Sequence, residues 1–409
     1  MFHRSRRTAL WLMVMVTFAA PAVGPAEAAV PTRARAGDHR LAPRPGWVAR
    51  IDRLVRGQGI GVAVAEEGRF LYRHADARRR APASNEKLLL SMALLDRLGP
   101  DARLVTQAAA GPVTSGVVAG DLWILGTGDP ALGPTRLREL ATAVASAGVT
   151  RVEGSVAGST GFFKRDWRAP GWKRDFPRTQ VAFPTALTYQ GNEAGGEHVR
   201  DPELRAARAM THWLRKAGVQ VSADPDAGRA PPGLVPIAEV HSRPLIDLLE
   251  YTNRFSSNFF AEVLGKRLGA EVAGIPGSIH KGALAIRSYA AEGGTRVRSL
   301  DASGLSYANR VSPRAIVRLL EIAEDQEWGE VLRNALPGPG QGTLKGRLRH
   351  VSLHAKTGTL SGISALSGWV YLRRLNTWAE FSVLSRGMSK DRAVRIEDQI
   401  VRILSRDAR

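Results

Sequence analysis

Cysteine is absent from the 409-residue chain, which excludes a disulfide framework, a thiolate metal site and a thiol nucleophile. Long apolar runs are also missing, since no stretch after residue 30 has eighteen consecutive apolar residues, and we expect no internal membrane-spanning helix. Hydrophobic residues make up 44% of the chain, too many for a disordered protein. The length therefore predicts roughly two to three globular domains.

Lysine is scarce, because only nine of the 58 basic residues are lysines, and the arginine-rich chain carries a formal net charge of +20. Such a charge favours a polyanionic partner, whether nucleic acid, anionic lipid or an acidic wall polymer. A solvated basic surface without a partner is the alternative.

Residues 1–28 have the pattern of a secretory signal peptide. Arginines among the first seven residues are followed by a short apolar run over residues 9–20, and Ala26 and Ala28 are small residues where a signal peptidase reads the chain. We expect cleavage after Ala28 and a periplasmic or other extracytoplasmic location, with an uncleaved anchor as the alternative. Export leaves no nucleic-acid partner, but it allows peripheral contact with anionic wall polymer or a membrane surface.

Both ends of the chain predict elements of one α/β core. Apolar runs over residues 59–65 and 69–75 predict a strand pair, and a helix-favouring run follows over residues 84–98. Residues 351–372 and 378–385 predict further strands with turn residues between them, and residues 390–406 predict a closing helix. We therefore predict a sheet built from both chain termini.

The middle of the chain has a different composition, with more glycine, proline and short β-like runs. We predict a β-rich accessory region over residues 105–240, inserted into a catalytic core formed by residues 29–104 and 241–409. A longer helical pattern returns over residues 245–268.

Two serine–lysine pairs have a spacing of three residues, namely Ser84 with Lys87 and Ser278 with Lys281. On a helix this spacing puts both side chains on one face, where a neutral lysine can remove the serine proton and create a nucleophile. Either pair alone is typical of solvated helix surface.

A second candidate element is Ser256 with Asn258, within the predicted helix. A hydroxyl there can pass a proton to a leaving group, and the amide can hold a substrate peptide. Tyr251 with Asn253 has the same spacing and competes for this role. A helix N-cap or turn is the structural alternative for such residues.

The third candidate element is the segment Lys356, Thr357, Gly358 and Thr359, at the end of a β-like run. A cation and hydroxyls on an edge strand suit the anionic end of a peptide, and glycine allows a substrate backbone to lie close to the strand. Alone, the segment is typical of an ordinary strand end.

The three elements occur in the order found in penicillin-binding proteins and class A β-lactamases. Ser278 follows Ser256, so the order selects Ser84 as the first element. Longer segments resemble the serine D-Ala-D-Ala carboxypeptidase/endopeptidases, the class C low-molecular-mass penicillin-binding proteins. The segments that carry this resemblance are residues 83–88, 120–130, 256–262, 301–306, 342–344 and 356–360.

The resemblance implies an α/β (α+β) fold of the penicillin-binding protein and β-lactamase type, with an antiparallel sheet flanked by helices and an inserted accessory region. It implies a serine DD-carboxypeptidase/DD-endopeptidase that acts on D-Ala-containing peptidoglycan stem peptides through an acyl-enzyme on Ser84. No metal or organic cofactor is implied, and β-lactams are expected to be covalent inhibitors.

The same resemblance implies a role for each candidate residue. Lys87 is expected to be the base that activates Ser84, kept neutral by Lys356, and Ser256 to relay a proton to the leaving D-alanine. Asn258 is expected to contact the substrate peptide. The backbone N–H groups of Ser84 and Thr359 are expected to bind the oxyanion. The end of the substrate that carries the terminal carboxylate is expected to contact Lys356, Thr357, Gly358 and Thr359.

The sequence departs from the family pattern near Ser159, where the family commonly has an aspartate and this chain has no carboxylate. This departure argues against a strong preference for a diamino acid at the third stem-peptide position. The alternatives are a β-lactamase of the same fold, with Glu330 and Asn334 as its one Glu-x-x-x-Asn match, and a non-catalytic wall-binding protein.

Overall fold

The computed structural model describes residues 45–408, so the predicted signal peptide lies outside the described residues. Within residues 45–408, no helix is both long and apolar enough to cross a membrane.

The strands of the described chain are β1 (Ile60–Glu66), β2 (Arg69–His74), β3 (Val105–Ala110), β4 (Val113–Thr114), β5 (Val117–Val118), β6 (Leu122–Gly126), β7 (Arg151–Val152), β8 (Val156–Ser159), β9 (Glu193–Ala194), β10 (Glu197–His198), β11 (Gln220–Val221), β12 (Asp226–Gly228), β13 (Val235–His241), β14 (Leu353–Leu360), β15 (Ile363–Leu372) and β16 (Thr377–Arg386).

The α-helices of the same residues are α1 (Gly46–Val55), α2 (Glu86–Leu98), α3 (Pro134–Ser146), α4 (Phe176–Thr179), α5 (Pro202–Lys216), α6 (Leu245–Arg254), α7 (Asn258–Ala273), α8 (Ile279–Glu292), α9 (Pro313–Glu324), α10 (Gly329–Ala335) and α11 (Lys390–Asp407). Short 3-10 turns occur at Ala83–Asn85, Gln190–Asn192 and Gly342–Leu344.

One five-stranded antiparallel sheet joins the two ends of the described chain, in the order β14-β15-β16-β1-β2. Strand β1 pairs with β16, with Val62 opposite Val383, so residues far apart in sequence lie side by side. Strand β14 is at the edge of this sheet. The prediction of a sheet built from both termini is confirmed.

Helices cover both faces of the sheet. Successive side chains of each strand point to opposite faces, so the sheet packs against helices on both sides. Val62 and Val64 of β1 belong to the apolar cluster formed with α1 and α11. Ala63 and Ala65 point the other way and pack with Val317 of α9. This arrangement of an antiparallel sheet between helices confirms the predicted α/β fold class.

Strands β3 to β13 pair only with one another among the named strands, in the orders β12-β8-β6-β3-β13 and β11-β7-β5-β4, with β9 paired to β10. Helices α3 and α5 pack with them around a separate apolar cluster that includes Leu122, Ile124, Leu140 and Met210. The region therefore contains helices as well as strands. The proposed boundaries at residues 105 and 240 stay a prediction.

The predicted helix over residues 245–268 is in fact two helices, α6 and α7. The chain turns at Ser256, whose φ of 54° lies in the left-handed region, and Ser257 then caps α7 by accepting a hydrogen bond from Phe260 N at 3.3 Å. The placement of Ser256 inside a helix was wrong, because the capping preference of serine outweighs the apolar periodicity here.

Candidate active site

Ser84 lies in the 3-10 turn just before α2, half-buried, with its side chain facing a cavity. The preceding Ala83 has a φ of 48°, a strained conformation for a residue with a Cβ. Gly304 lies against the carbonyl of Ala83, where a Cβ would overlap it. Close packing therefore holds the turn that presents Ser84.

Lys87 is fully buried one helical turn after Ser84, and its Nζ lies 3.3 Å from Ser84 Oγ. The ammonium also donates to Asn258 Oδ1 at 2.8 Å and to the Ser303 carbonyl at 2.6 Å. These contacts fix Lys87 between three separate segments of the chain.

Burial lowers the pKa of Lys87 to about 8, although the carboxylates of Asp301, Glu262 and Glu86 act in the opposite direction. The cause differs from the sequence expectation, in which the charge of Lys356 kept Lys87 neutral. Removal of the ammonium from water is the main reason why Lys87 can lose its proton near neutral pH.

Glu262 and Asp301 support the segment that binds Lys87. Glu262 Oε1 accepts hydrogen bonds from Ala302 N at 3.1 Å and Ser303 N at 2.8 Å, and burial raises the pKa of Glu262 to about 7. Asp301 accepts from Trp172 Nε1 at 2.7 Å. The position of the Ser303 carbonyl therefore depends on two buried carboxyl groups.

Ser256 and Lys356 form the other side of the site. Lys356 Nζ donates to Ser256 Oγ at 2.9 Å and to the Thr357 carbonyl at 2.9 Å. Lys356 is fully buried; burial lowers the pKa of Lys356 well below its ordinary value, and the charge of Lys87 lowers it further. The α6–α7 turn and edge strand β14 are thus joined at the two side chains.

Gly358 makes room for the turn that carries Ser84. A Cβ at Gly358 would lie 2.8 Å from the Pro82 carbonyl and 3.0 Å from Asn85 Oδ1, closer than ordinary contacts. Asn85 Nδ2 also donates to the Lys356 carbonyl at 2.9 Å. Close packing of the strand against the Ser84 turn is therefore one reason for this glycine, and the expected close approach of a substrate backbone stays a prediction.

The candidate residues meet at one cavity of about 450 Å³, lined by Ser84, Ser256, Thr357, Gly358 and Thr359. Behind this lining lie Lys87, Asn258 and Lys356. Lys87 is hydrogen-bonded to Ser84 and to Asn258, and Lys356 is hydrogen-bonded to Ser256. Further lining residues that sequence reasoning missed are Thr343, Arg347, Ser364 and Lys390. Of these four residues, only Thr343 lies in a segment that carried the family resemblance, residues 342–344.

Tyr251 and Asn253 are placed away from this cavity. Tyr251 is 39% exposed and packs on the rings of Phe255 and Phe260, with centroid distances of 4.9 and 4.4 Å. Asn253 is buried and donates to Ser91 Oγ at 2.9 Å. These contacts give the pair a packing role on α6.

Ser278 and Lys281 also lie elsewhere. Ser278 is the N-cap of α8 and accepts from Lys281 N at 3.1 Å, while Lys281 Nζ donates to the Gly274 carbonyl at 2.6 Å. The side chain of Glu330 is 75% exposed and lies 3.9 Å from Arg333 on the same helix. Neither pair lines the cavity around Ser84.

Within residues 45–408, no group of three or more His, Asp or Glu side chains could hold a metal ion.

Comparison with known proteins gives a match to the D-Ala-D-Ala carboxypeptidase 3 (S13) family over residues 49–197 and 194–407. The chain belongs to this family of peptidases. The resemblance inferred from the motifs is thereby confirmed, and an S13 peptidase is an enzyme of the serine D-Ala-D-Ala carboxypeptidase type.

Relatives of this S13 chain have related names. It is 27% identical over 446 aligned positions to the D-alanyl-D-alanine carboxypeptidase of Actinomadura sp. (strain R39), covering 85% of this chain and 81% of that protein. It is 29% identical to carboxypeptidase Rv3627c of Mycobacterium tuberculosis, covering 74% and 70%. The crystal structure of penicillin-binding protein 4 from Haemophilus influenzae matches with a TM-score of 0.76 at 20% identity, covering 88% of this chain and 99% of that one, which shows the same fold.

Proposed function

We propose that this S13 peptidase is a DD-carboxypeptidase/DD-endopeptidase that cleaves D-Ala-containing peptidoglycan stem peptides through an acyl-enzyme on Ser84. The observation that carries the proposal is the 3.3 Å separation between Lys87 Nζ and Ser84 Oγ, in a site where burial lowers the pKa of Lys87 to about 8. A serine hydroxyl needs such a neighbouring base before it becomes an effective nucleophile.

Acylation begins when neutral Lys87 accepts the proton of Ser84. The Ser84 Oγ then forms a bond to the carbonyl carbon between two D-alanines, and negative charge develops on the carbonyl oxygen. Backbone N–H groups of Ser84 and Thr359 stabilise that oxygen. In support, Ala355 N donates outside the sheet, to the Pro337 carbonyl at 3.1 Å, and the alternation of N–H groups along a strand directs Thr359 N–H to the same free edge.

Departure of the leaving D-alanine requires a proton on its nitrogen as the C–N bond breaks. Ser256 supplies this proton and is replenished through Lys356, whose Nζ is 2.9 Å away. Asn258 orients the acyl part of the peptide, while its Oδ1 holds Lys87 at 2.8 Å. The same asparagine thus positions both substrate and base.

The terminal carboxylate of the substrate binds at the β14 edge, where the hydroxyls of Thr357 and Thr359 line the cavity and Lys356 lies behind them. Water then attacks the acyl-enzyme, the bond to Ser84 Oγ breaks, and Ser84 regains its proton. A β-lactam reacts with Ser84 by the same first step and acts as a covalent inhibitor. Penicillin-binding protein 4 of Haemophilus influenzae, which has the same fold, has been crystallised with a β-lactam.

We infer no strong preference for a diamino acid at the third stem-peptide position. Ser159 lines a cavity of about 360 Å³ together with Gln107 and Arg229, and no carboxylate is among its described lining residues. A cationic amine in this cavity would meet the guanidinium of Arg229 without a neutralising partner.

Export after removal of residues 1–28 brings the enzyme to its substrate.

Release of D-alanine from a synthetic stem pentapeptide, followed by mass analysis of digested muropeptides, tests the proposed activity. Labelled penicillin separates the alternatives, because a carboxypeptidase traps the label, a β-lactamase releases it rapidly, and a non-catalytic binding protein does not react. If the enzyme releases no D-alanine from any muropeptide and hydrolyses penicillin rapidly, the proposal is wrong and the β-lactamase hypothesis takes its place.

A further inference from the structure

We propose a second ligand site, separate from the catalytic cavity, that binds the phosphate ester of an amphiphilic molecule. The site is a cavity of about 630 Å³ between α1, α11 and the chain near residue 350. We call it the arginine cavity because six arginines of the described chain line it: Arg50, Arg53, Arg349, Arg373, Arg402 and Arg406.

Positive charge in the arginine cavity is only partly neutralised. Asp407 Oδ2 lies 2.6 Å from Arg50 and 3.0 Å from Arg406, and Asp398 is 3.8 Å from Arg402. Asp398 is also bound by Arg347 at 2.7 Å, so it is shared between two guanidinium groups.

Arg53, Arg349 and Arg373 have no carboxylate within ion-pair distance in residues 45–408. All three are exposed, and no Asp or Glu is among the described residues that line the cavity. Like charges brought together on a concave surface raise the local concentration of anions. An anionic ligand is therefore the natural complement of this surface.

Guanidinium chemistry selects the kind of anion. The planar guanidinium presents a fixed fork of donors that matches the oxygens of phosphate and carboxylate groups. Here the guanidinium groups that have no carboxylate partner come from three separate segments, at residues 53, 349 and 373, and that of Arg373 also donates to the His350 carbonyl at 2.8 Å. A phosphate has several oxygens that point in different directions, so it suits donors from several segments better than a planar carboxylate does.

The rest of the lining is apolar and indicates an amphiphile. Leu54, Leu348, Val351 and Ile403 line the same cavity, whose volume is in the range of small-molecule sites. A bare inorganic ion would leave this apolar surface in contact with water. A phosphate ester with an aliphatic part would cover it, as a phospholipid headgroup with its first carbons or a soluble ester of similar size does.

The arginine cavity and the catalytic cavity share no lining residue. Helix α11 contributes Val394 to the catalytic cavity and Arg402 to the arginine cavity, and these positions are roughly 12 Å apart along a helix at ~1.5 Å per residue. Ligand binding at the arginine cavity can therefore be tested without altering the proposed reaction at Ser84.

The test uses the full-length mature protein with three probes at low salt: glycerol 3-phosphate, monomeric dihexanoyl phosphatidylglycerol and monomeric dihexanoyl phosphatidylcholine. Isothermal titration is run on the wild type, on Arg53→Glu/Arg349→Glu, and on the matched control Arg208→Glu/Arg296→Glu, whose arginines are exposed elsewhere. We expect the anionic lipid to bind and the zwitterionic lipid to bind far more weakly. Loss of the two cavity arginines should weaken anionic binding by about tenfold or more, while the control keeps it.

Two outcomes support the proposal and distinguish the source of the phosphate. Tighter binding of phosphatidylglycerol than of glycerol 3-phosphate indicates a lipid, and equal binding indicates a soluble ester. Absence of anionic binding in the wild type, or equal weakening in both double variants, would overturn it. Penicillin labelling of Ser84 reports folding and activity in every sample; if the glutamate variant loses labelling, Arg53→Gln/Arg349→Gln replaces it.

Discussion

The indole Nε1 of Trp172 donates a 2.7 Å hydrogen bond to Oδ2 of Asp301. Both residues are buried, and they come from the middle region and from the C-terminal half of the chain. Asp301 also accepts from Ser306 N at 2.7 Å and from Asn309 Nδ2 at 2.6 Å. The loop that offers the Ser303 carbonyl to Lys87 is thus connected to the region between the first two motifs.

Replacement of Trp172 by Phe removes this donor and leaves the other partners of Asp301. We expect the free energy of unfolding to fall by about 1–3 kcal/mol, and acylation by penicillin to slow, because the Ser303 carbonyl positions Lys87. Denaturant unfolding and stopped-flow labelling measure the two effects. Trp213→Phe is the matched control, since Trp213 lies in the same region on α5; equal slowing in both variants would show that Trp172 has no specific role.

Replacement of Ser84 by Ala should abolish covalent labelling by penicillin, because Lys87 Nζ lies 3.3 Å from Ser84 Oγ, whereas Lys281 Nζ donates to the Gly274 carbonyl and not to Ser278. Ser278→Ala removes the N-cap of α8 and should cost about 1 kcal/mol of stability, with labelling retained. Gel fluorescence after labelling, with thermal unfolding as the fold check, compares the variants. Labelling that persists in Ser84→Ala would refute the assignment of the nucleophile.

Replacement of Ser256 by Ala should slow acylation by roughly 100-fold or more, the range for loss of a group that transfers protons. Tyr251→Phe should leave the rate close to that of the wild type, because Tyr251 packs on Phe255 and Phe260 away from the cavity. Second-order acylation constants with a chromogenic β-lactam measure both. A loss confined to the Tyr251 variant would reverse the choice between the two motifs.

Acylation should depend on pH through Lys87. The base works in its neutral form, and burial lowers its pKa in the folded protein to about 8. The rate should therefore rise about tenfold per pH unit below pH 8 and level off above it. Rates from pH 6 to 9.5, corrected for spontaneous β-lactam hydrolysis, test this; a rate that is flat or falls with rising pH would mean that another group is the base.

Arg347 joins the loop beside the catalytic cavity to α11, through Glu397 at 3.1 Å and Asp398 at 2.7 Å. Arg347→Ala would leave the buried carboxyl of Glu397 without this cation, and we expect the free energy of unfolding to fall by roughly 3 kcal/mol. Burial raises the pKa of Glu397 to about 7. Arg395→Ala, which removes an exposed arginine of the same helix, is the control, and similar losses in both variants would contradict the proposed role.

Several features could be predicted from the sequence because they depend on local patterns. Apolar runs predicted β1, β2 and the C-terminal strands, and residues 390–406 predicted a closing helix that the structure places at Lys390–Asp407. The turn at Ser256, with its φ of 54°, was missed because apolar periodicity continues across it, although the N-cap at Ser257 separates the two helices.

The sequence by itself determined the order of the motifs, the choice of Ser84 over Ser278 by that order, and the family to which they point. Only the tertiary structure decided why Lys87 has a low pKa, since burial depends on which segments surround it and not on its neighbours in the chain. Tertiary structure likewise decided that Gly358 packs against Pro82 and Asn85, and that six arginines from distant segments line one cavity in the described chain. Spacing along the chain determines local geometry. Distances between remote segments are determined only when the sheet brings the two ends of the described chain together.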